Sequence, residues 1–239
     1  MASIICTVVN DMFLPGFLVA IDSFYKHNPW FKEKWVVLYE DQKFTNFDAL
    51  AQYNIEFVQI PIDVYKTARI THKHPGKLQI AAYCLHGFTL SYDQIIFLDA
   101  DILVLDDISE LWDFQKPINA TWRKRGGWQA GVFAADKTQL PDNILDKLIH
   151  ILKNEDNKYA EQDALNKFIK RDKIRANRLP ASFNMFAHRW KPDKIPNPKI
   201  LHYAGGNKRK PWLSKRNGKA HLMWHKYNEE LQNRNRQDG

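Results

Sequence analysis

The chain has 239 residues, enough for one large α/β domain or two small ones, and 44% hydrophobic with 13% aromatic content builds a packed core and excludes disorder. Its net charge of +8 is uneven: residues 205–239 hold nine Lys or Arg against three acids, a balance that suits nucleic acid, anionic lipid, a phosphorylated ligand or plain solvation. No apolar run approaches the roughly 20 residues that cross a bilayer.

The first residues enter an apolar strand at once, Ile4-Ile5-Cys6-Thr7-Val8-Val9, with no basic leader before it. A cytoplasmic protein is expected, with Cys6 and Cys84 as reduced thiols and Asn119-Ala120-Thr121 a coincidental glycosylation sequon. The strand ends in Asn10-Asp11. A helix follows with Phe17, Ala20, Ile21 and Phe24 on one face, stopped by Pro29. Residues 35–39 read as a second strand, 45–53 as a helix and 55–60 as a third strand. This alternation predicts βαβ units and a mostly parallel sheet flanked by helices. Residues 61–76 read as a loop whose His72 and His74 are solvated, and 77–88 as an apolar helix.

Gln94-Ile95-Ile96-Phe97-Leu98 reads as a strand buried on both faces, and it runs into Asp99-Ala100-Asp101 before apolar residues resume. An unpaired carboxylate in the interior costs several kcal/mol or more, roughly, so two of them need a reason. At the carboxyl end of a parallel strand, where ligands of such sheets bind, two acids one residue apart suit a divalent cation with oxygen ligands. The bland alternative is a solvated turn. Asn10-Asp11 lies at a similar strand end, so both are expected to face one crevice.

Residues 118–122 and 129–135 read as further strands around a Gly126-Gly127 turn, with Gly131 marking a close backbone approach or a bulge. A helix after Pro141 carries the stripe Ile144, Leu145, Leu148, Ile149 and Leu152. Glu161-Gln162-Asp163 opens the next helix, where acids suit capping. Residues 174–198 read as an irregular wrap. A short strand then leads to His202, Gly205, Gly206 and the cluster Lys208-Arg209-Lys210. An imidazole with two carboxylates suits Mn²⁺ or a similar metal, and glycines with lysines suit phosphate oxygens. His221 and His225 are expected on faces of a C-terminal helix.

Taken in order, these segments resemble glycosyltransferase family 8, the family of glycogenin and the lipooligosaccharide galactosyltransferases. Cys6–Phe13 is similar to the family's first strand and nucleotide-contacting turn, with Phe13 where a tyrosine is usual. Lys77-Leu78 resembles its basic nucleotide-sugar contact, and Phe97-Leu98-Asp99-Ala100-Asp101 its metal-binding Asp-X-Asp. Gln129-Ala130-Gly131-Val132 resembles Asn-Ala-Gly-Val with a longer amide. Glu161-Gln162-Asp163-Ala164-Leu165-Asn166 resembles Asp-Gln-Asp-X-Leu-Asn with a longer first acid. Leu179–Asn184 is similar to a Leu-Pro…Asn segment. His202-X-X-Gly205 with Lys210-Pro211-Trp212 resembles His-X-X-Gly-X-X-Lys-Pro-Trp with two extra residues.

The resemblance implies a single domain of the GT-A fold over residues 1–213, with a Rossmann-like sheet, and residues 214–239 as a basic helix or tail of the same domain. It implies a retaining transfer of a hexose from a UDP-sugar, UDP-glucose or UDP-galactose first, to a glycan or other hydroxyl acceptor. Asp99, Asp101 and His202 would hold Mn²⁺, with Mg²⁺ as the alternative. Thr7, Val9, Asn10, Phe13 and Lys77 would hold the nucleotide together with Asp99, Ala100, Asp101 and Gly205, and Lys208 or Lys210 the diphosphate. Gln129, Ala130, Glu161 and Gln162 would surround the sugar, with Glu161, Gln162 and Asp163 as the catalytic group. Two rivals are an idle sugar-nucleotide-binding module and, more remotely, a nucleic-acid-binding protein that uses the basic tail. That tail could instead rest on an anionic membrane.

Overall fold

The protein is described from a computed structural model covering residues 2–73, 75–113 and 115–237, the side chain of Lys77 excepted. In chain order the first elements are β1 (Ser3–Val8), α1 (Leu14–His27), β2 (Trp35–Tyr39), β3 (Ile55–Gln59), α2 (Pro75–Gln79), β4 (Gln94–Leu98), β5 (Ile102–Val104), β6 (Ile118–Arg123) and β7 (Gly127–Asp136). Then come α3 (Ile144–Asn154), α4 (Ala160–Arg171), β8 (Ala176–Leu179), β9 (Met185–Phe186), β10 (Ile200–His202) and α5 (Lys219–Gln237). The chain forms two compact units.

The first unit comprises residues 1–10, 33–99 and 110–179. Its seven-stranded sheet has the order β3-β2-β1-β4-β7-β6-β8. Four of the six pairings are parallel, and the two made by β7 are antiparallel. The parallel expectation therefore holds for β1 to β4, of which β1, β2 and β4 are nearly continuous apolar sequence. In β4, Ile95, Ile96, Phe97 and Leu98 are all buried, and the Phe97 ring stacks on Phe133 with centroids 4.3 Å apart. Helices α3 and α4 cover the core through Ile144, Leu148, Ile151 and Leu152 of one and Ala164, Leu165 and Phe168 of the other. Leu145 and Ile149 of the expected stripe sit at the margin, half-buried.

Two expected helices are not regular α-helix. Residues 45–53 hold only a 3₁₀ turn at Phe47–Leu50, and 77–88 are divided between the one-turn α2 and a 3₁₀ run, Ala81–Thr89. Apolar spacing does not distinguish the tighter winding. A local reason lies at Gly87, where a Cβ would come within 2.7 Å of the Phe97 ring, so the segment hugs β4 more closely than a helix with side chains could. The sequon is buried: Asn119 is 0% exposed in mid-strand and no glycan can reach it. His72 is half-buried against the Tyr159 ring rather than solvated, while His74 lies outside the described residues. Cys6 and Cys84 are free thiols, and burial pushes both well above the usual thiol range.

The second unit comprises residues 11–32, 100–109 and 180–239. Its small sheet, β5-β10-β9, draws on the expected irregular wrap for β9. Buried polar side chains of α1 tie down the strand beside it: Ser23 Oγ accepts from Val104 N at 3.1 Å, and Asn28 Oδ1 from Ile108 N at 2.9 Å. The basic tail is α5, packed along α1 with Lys26 on Glu230, Arg234 on Asp22 and His27 against Tyr227. His221 is on its buried face, edge-on to Tyr203, and His225 is half-buried. No helix among the described residues is long and apolar enough to cross a membrane.

Trp212 anchors the loop that opens α1. Its Nε1 donates to Met12 O at 3.0 Å, and its ring lies where a Cβ on Gly16 would come within 2.3 Å. Overpacking of this kind costs about 1–3 kcal/mol. Gly16→Ala is therefore expected to lower stability by that amount in urea unfolding, and Trp212→Phe in the same chain to recover part of the loss. Additive losses in the double variant would rule the contact out.

Candidate active site

The site residues of the first unit collect at the carboxyl ends of β1 and β4, which are neighbours in the sheet. Thr7 is buried and its Oγ1 accepts from Trp35 Nε1 at 2.9 Å, so its side chain serves the fold. Val9 N donates to Leu38 O at 3.0 Å, which carries the chain on toward Asn10. Val8, Val9 and Asn10 line a shallow recess with Glu40, Lys43, Ile80 and Tyr83. Glu40 accepts there from Lys43 Nζ at 2.7 Å and from the Tyr83 hydroxyl at 3.0 Å. Sequence reasoning missed these three polar residues: one sits at the end of β2, one in a loop and one in the 3₁₀ run, with no shared spacing. Lys77 belongs to α2, and its side chain lies outside the described residues.

Asp99 follows β4, its N–H donating to Gly131 O at 2.9 Å, so the glycine expected to mark a close approach or a bulge receives the end of the acidic strand. Gln129 and Ala130 are buried on β7. The Gln129 amide does not face outward: Nε2 donates to Gly127 O at 3.1 Å and to Gly126 O at 3.4 Å, folding the longer side chain back onto its own hairpin. Gln162 Nε2 reaches Gly126 O at 3.3 Å from α4. Asn166 clamps the hairpin through both backbone groups of Trp128, each at 2.8 Å.

The entry to α4 is strained. Ala160 is fully buried with φ 35°, a conformation L-residues rarely adopt, and such positions are held only where the surroundings over-determine them. It precedes Glu161, whose Oε2 is cut off from solvent and has no hydrogen-bond partner. Burial, and next the Asp99 charge, push its carboxyl up to about 8. Asp163 Oδ2 accepts from the N–H groups of Lys158 and Tyr159 at 2.7 and 2.9 Å, which is the capping that local chemistry suggests.

The second unit holds the rest. Asp101 and His202 are each 5% exposed, and Lys210 is 3% exposed. Their backbones are set by the small sheet, where Tyr203 N donates to Asp101 O at 2.9 Å. His202 Nδ1 hydrogen-bonds Asn184 Oδ1 at 2.8 Å, which makes Nδ1 the donor and leaves Nε2 as the lone-pair nitrogen. That Nε2 faces Asp101 Oδ1 at 3.2 Å. Two acceptors at this distance repel unless a proton or a cation lies between them. Lys210 donates to the other oxygen of Asp101 and to Tyr203 O, and its ammonium is 5.1 Å from the Phe13 ring centroid. Burial opposes the Asp101 carboxylate, but the charge of Lys210, joined by that of His202 when a proton occupies Nε2, outweighs it and holds the carboxyl well below the usual range.

This donor set fits a divalent metal. Neighbouring ligands about 3 Å apart match bonds of about 2.1 Å at right angles, and an imidazole oriented by an amide through its other nitrogen is the usual arrangement around an ion. Asp101 and His202 supply such atoms, and Asp99 is joined to Asp101 through Ala100 alone. Asn184, absent from the expected ligand set, was detectable only as the last residue of the Leu-Pro…Asn segment. Lys208 is exposed and Lys210 buried; Gly205 has φ 106°, with the Arg209 side chain where a Cβ would go. Ala100 is buried, and Phe13 packs edge-on to Trp212.

Comparison with known proteins gives the same family. The model of glycosyl transferase family 8 matches residues 4–216. A candidate UDP-glucuronate:xylan alpha-glucuronosyltransferase of Arabidopsis thaliana is 30% identical over 138 residues, 51% of this chain. The chain spans only about a fifth (21%) of the length of that plant protein. Among solved structures, the galactosyltransferase LgtC with donor and acceptor sugar analogs superposes with a TM-score of 0.73 at 17% identity, covering 95% of this chain and 96% of the other. GlyE of Streptococcus pneumoniae superposes with a TM-score of 0.69 at 17% identity, covering 95% of this chain and 60% of the other. These likenesses show the GT-A fold.

The Glu161 carboxyl has a signature in stability. A group raised to about 8 in the folded state and near 4.3 when unfolded favours the fold while protonated, and that contribution is lost as pH rises through this window. With metal chelated, Glu161→Gln is expected to gain on the parent chain between pH 5 and pH 9, by a few kcal/mol at most. Thermal melts across that range check it; a gap independent of pH would overturn it.

Proposed function

The chain belongs to glycosyl transferase family 8 and is a glycosyltransferase, and from that premise we propose a metal-dependent, retaining transfer of a hexose from a UDP-sugar to a glycan hydroxyl. One observation carries the metal: His202 Nε2 and Asp101 Oδ1, two acceptors 3.2 Å apart, with Asn184 fixing the imidazole. Asp99, Asp101 and His202 would hold Mn²⁺, or Mg²⁺ in its place. When bound, the ion neutralises the charge that grows on the departing diphosphate.

The protein's own groups do the remaining work. Lys210 has two of its three N–H bonds committed, to Asp101 and Tyr203, which leaves one for a phosphate oxygen. Lys208 is exposed on the preceding turn and keeps the family spacing from His202, so it can add a second cation. The backbone of Thr7, Val9 and Asn10, with Phe13 and Lys77, would receive the uridine, and Ala100 and Gly205 the path of the diphosphate. Glu40 and Tyr83 extend that cradle.

In the sugar pocket, Gln162 is held through its amide nitrogen on Gly126, which commits the amide oxygen to act as an acceptor. An oxygen acceptor beside the anomeric carbon stabilises the oxocarbenium-like transition state. Attack on the same face balances without a covalent enzyme intermediate. The bond from the anomeric carbon to the phosphate oxygen breaks, the acceptor oxygen bonds to that carbon, and its proton passes to the departing phosphate. Glu161 and Asp163 stay with Gln162 in the catalytic group. Glu161 would be a neutral donor to a sugar hydroxyl near neutral pH, and Asp163 would fix the helix entry that presents both neighbours. UDP-glucose and UDP-galactose remain the first donors to try, since Gln129 and Glu161 reshape the pocket that separates them.

Release of UDP from a panel of UDP-sugars, with Mn²⁺ and with chelator, tests the reaction. Turnover only with metal is expected, and good UDP binding without turnover for any donor would favour an idle binding module. Asn184→Ala is expected to weaken Mn²⁺ binding by about 10- to 100-fold through loss of imidazole orientation. Electron paramagnetic resonance of free Mn²⁺ measures it. Unchanged affinity would remove His202 from the ligand set.

A further inference from the structure

Beside the sugar pocket, on the first unit, lies a cationic and aromatic surface that the donor reaction does not use. It begins at the tip joining β6 to β7, Trp122-Arg123-Lys124-Arg125-Gly126-Gly127, and continues onto β8. Strand β8 is the outer strand of the sheet, paired in parallel to β6 alone, and its register sets Arg178 opposite Ala120. The Arg178 guanidinium lies 5.0 Å from the centre of the Trp122 ring, and Trp122 is 37% exposed. Lys124, Arg125 and Arg175 are exposed as well.

No acid offsets these charges locally. Residues 117–135 and 173–192 contain no Asp or Glu. Among the described residues, Lys124, Arg125, Arg175 and Arg178 take part in no ion pair, whereas Arg69 and Arg171 of the same unit do. Four exposed cations without an ion pair, one of them over an exposed indole, make a surface complementary to an anion with an apolar face.

The tip is rigid and close to where the acceptor must come. Gly126 O receives Gln162, the residue set against the anomeric carbon, and Gly127 (φ 65°) leaves no room for a Cβ, which would meet Asn166 Oδ1 at 2.2 Å. An acceptor hydroxyl has to approach the anomeric carbon within about 3–3.5 Å. The units of an acceptor glycan that do not react must then lie on the protein surface around Gln162, and the hairpin tip is part of that surface.

We propose that Trp122, Lys124, Arg125 and Arg178 form an acceptor subsite for an acidic oligosaccharide, one that carries uronate carboxylates. The pyranose C–H face stacks on the indole, and the guanidinium groups take carboxylates in paired hydrogen bonds that a neutral glycan does not supply. The inference rests on the transferase reading of the site and adds the class of acceptor to it.

The test is titration of the full chain, followed by tryptophan fluorescence and calorimetry, with tetragalacturonate, a neutral cellotetraose, a sulfated tetrasaccharide and a single-stranded oligonucleotide. Tetragalacturonate is expected to bind at least about 10-fold more tightly than cellotetraose, with an affinity that falls as salt rises. Arg178→Ala, and separately Lys124→Ala with Arg125→Ala, should bring it toward the neutral value. Lys170→Ala, an exposed charge of α4 outside the surface, should not. Equal binding of the two tetrasaccharides, or variants that bind like the parent chain, would overturn the proposal. So would stronger binding of the sulfated sugar or the oligonucleotide than of tetragalacturonate. UDP release from the donor panel without acceptor is read on the same preparation. Donor turnover without uronate preference sinks the acceptor proposal alone, and uronate binding without donor turnover sinks the transferase reading.

Discussion

A carboxylate closed off from water must have cations around it, and Asp101 shows how one is kept. Burial on its own would force the group to take up a proton; the ammonium of Lys210 on one oxygen, with a proton or a cation between the other oxygen and His202 Nε2, reverses that. Each partner is itself held. Lys210 donates to Tyr203 O, His202 is turned by Asn184, and both depend on the short sheet that pairs β10 with β5. Removing either partner would strand a buried charge, which costs several-fold more than the pair contributes. The segment from Asn184 through His202 to Lys210 is thus one electrostatic unit, although its members are spread over 27 positions of sequence.

Where sequence was enough to locate this unit, it was because period and chemistry coincided. The run Ile95 to Leu98 reads as a strand, and of the two acids at its end Asp99 is exposed while Asp101 is buried and needs a cation nearby. His202 closes a short strand. The order of the motifs then assigned the family, which the match over residues 4–216 bears out. The less legible parts are those where winding or rotamer decides. Apolar spacing in residues 77–88 reads as α-helix, yet Gly87 against Phe97 admits a closer 3₁₀ path. Lys208 and Lys210 are equivalent in a motif and differ only in burial. Glu40, Lys43 and Tyr83 meet through tertiary packing that no local pattern encodes.

One added methylene has a structural outcome that sequence could only pose as a question. Gln129 stands where the family has asparagine, and its amide turns back on Gly126 and Gly127. The longer side chain therefore stiffens the hairpin from within, while Asn166 clamps it from α4. A turn carrying three consecutive cations is ordinarily mobile, since like charges repel and Gly-Gly is conformationally loose. Here five hydrogen bonds from Gln129, Gln162 and Asn166 meet the backbone of its last three residues, Gly126 to Trp128.

That stiffness bears on how the pocket can discriminate. Gln162 and Gln129 meet at Gly126 O and Asn166 holds Trp128 two residues on, so a displacement of any one is passed along a braced turn. Glu161 directly precedes Gln162 and follows the strained Ala160, with a buried oxygen that has no partner. A buried polar atom left unsatisfied costs about 1–3 kcal/mol, and a hydroxyl placed to meet it recovers that sum. A sugar lacking the hydroxyl recovers nothing. Rigid surroundings are what make the difference selective, because a loose pocket would close around the wrong sugar and satisfy the oxygen by other means. If this pocket receives the donor sugar, as proposed, the longer acid and the longer amide would act together, a fixed frame turning a single unmet hydrogen bond into a preference among donors.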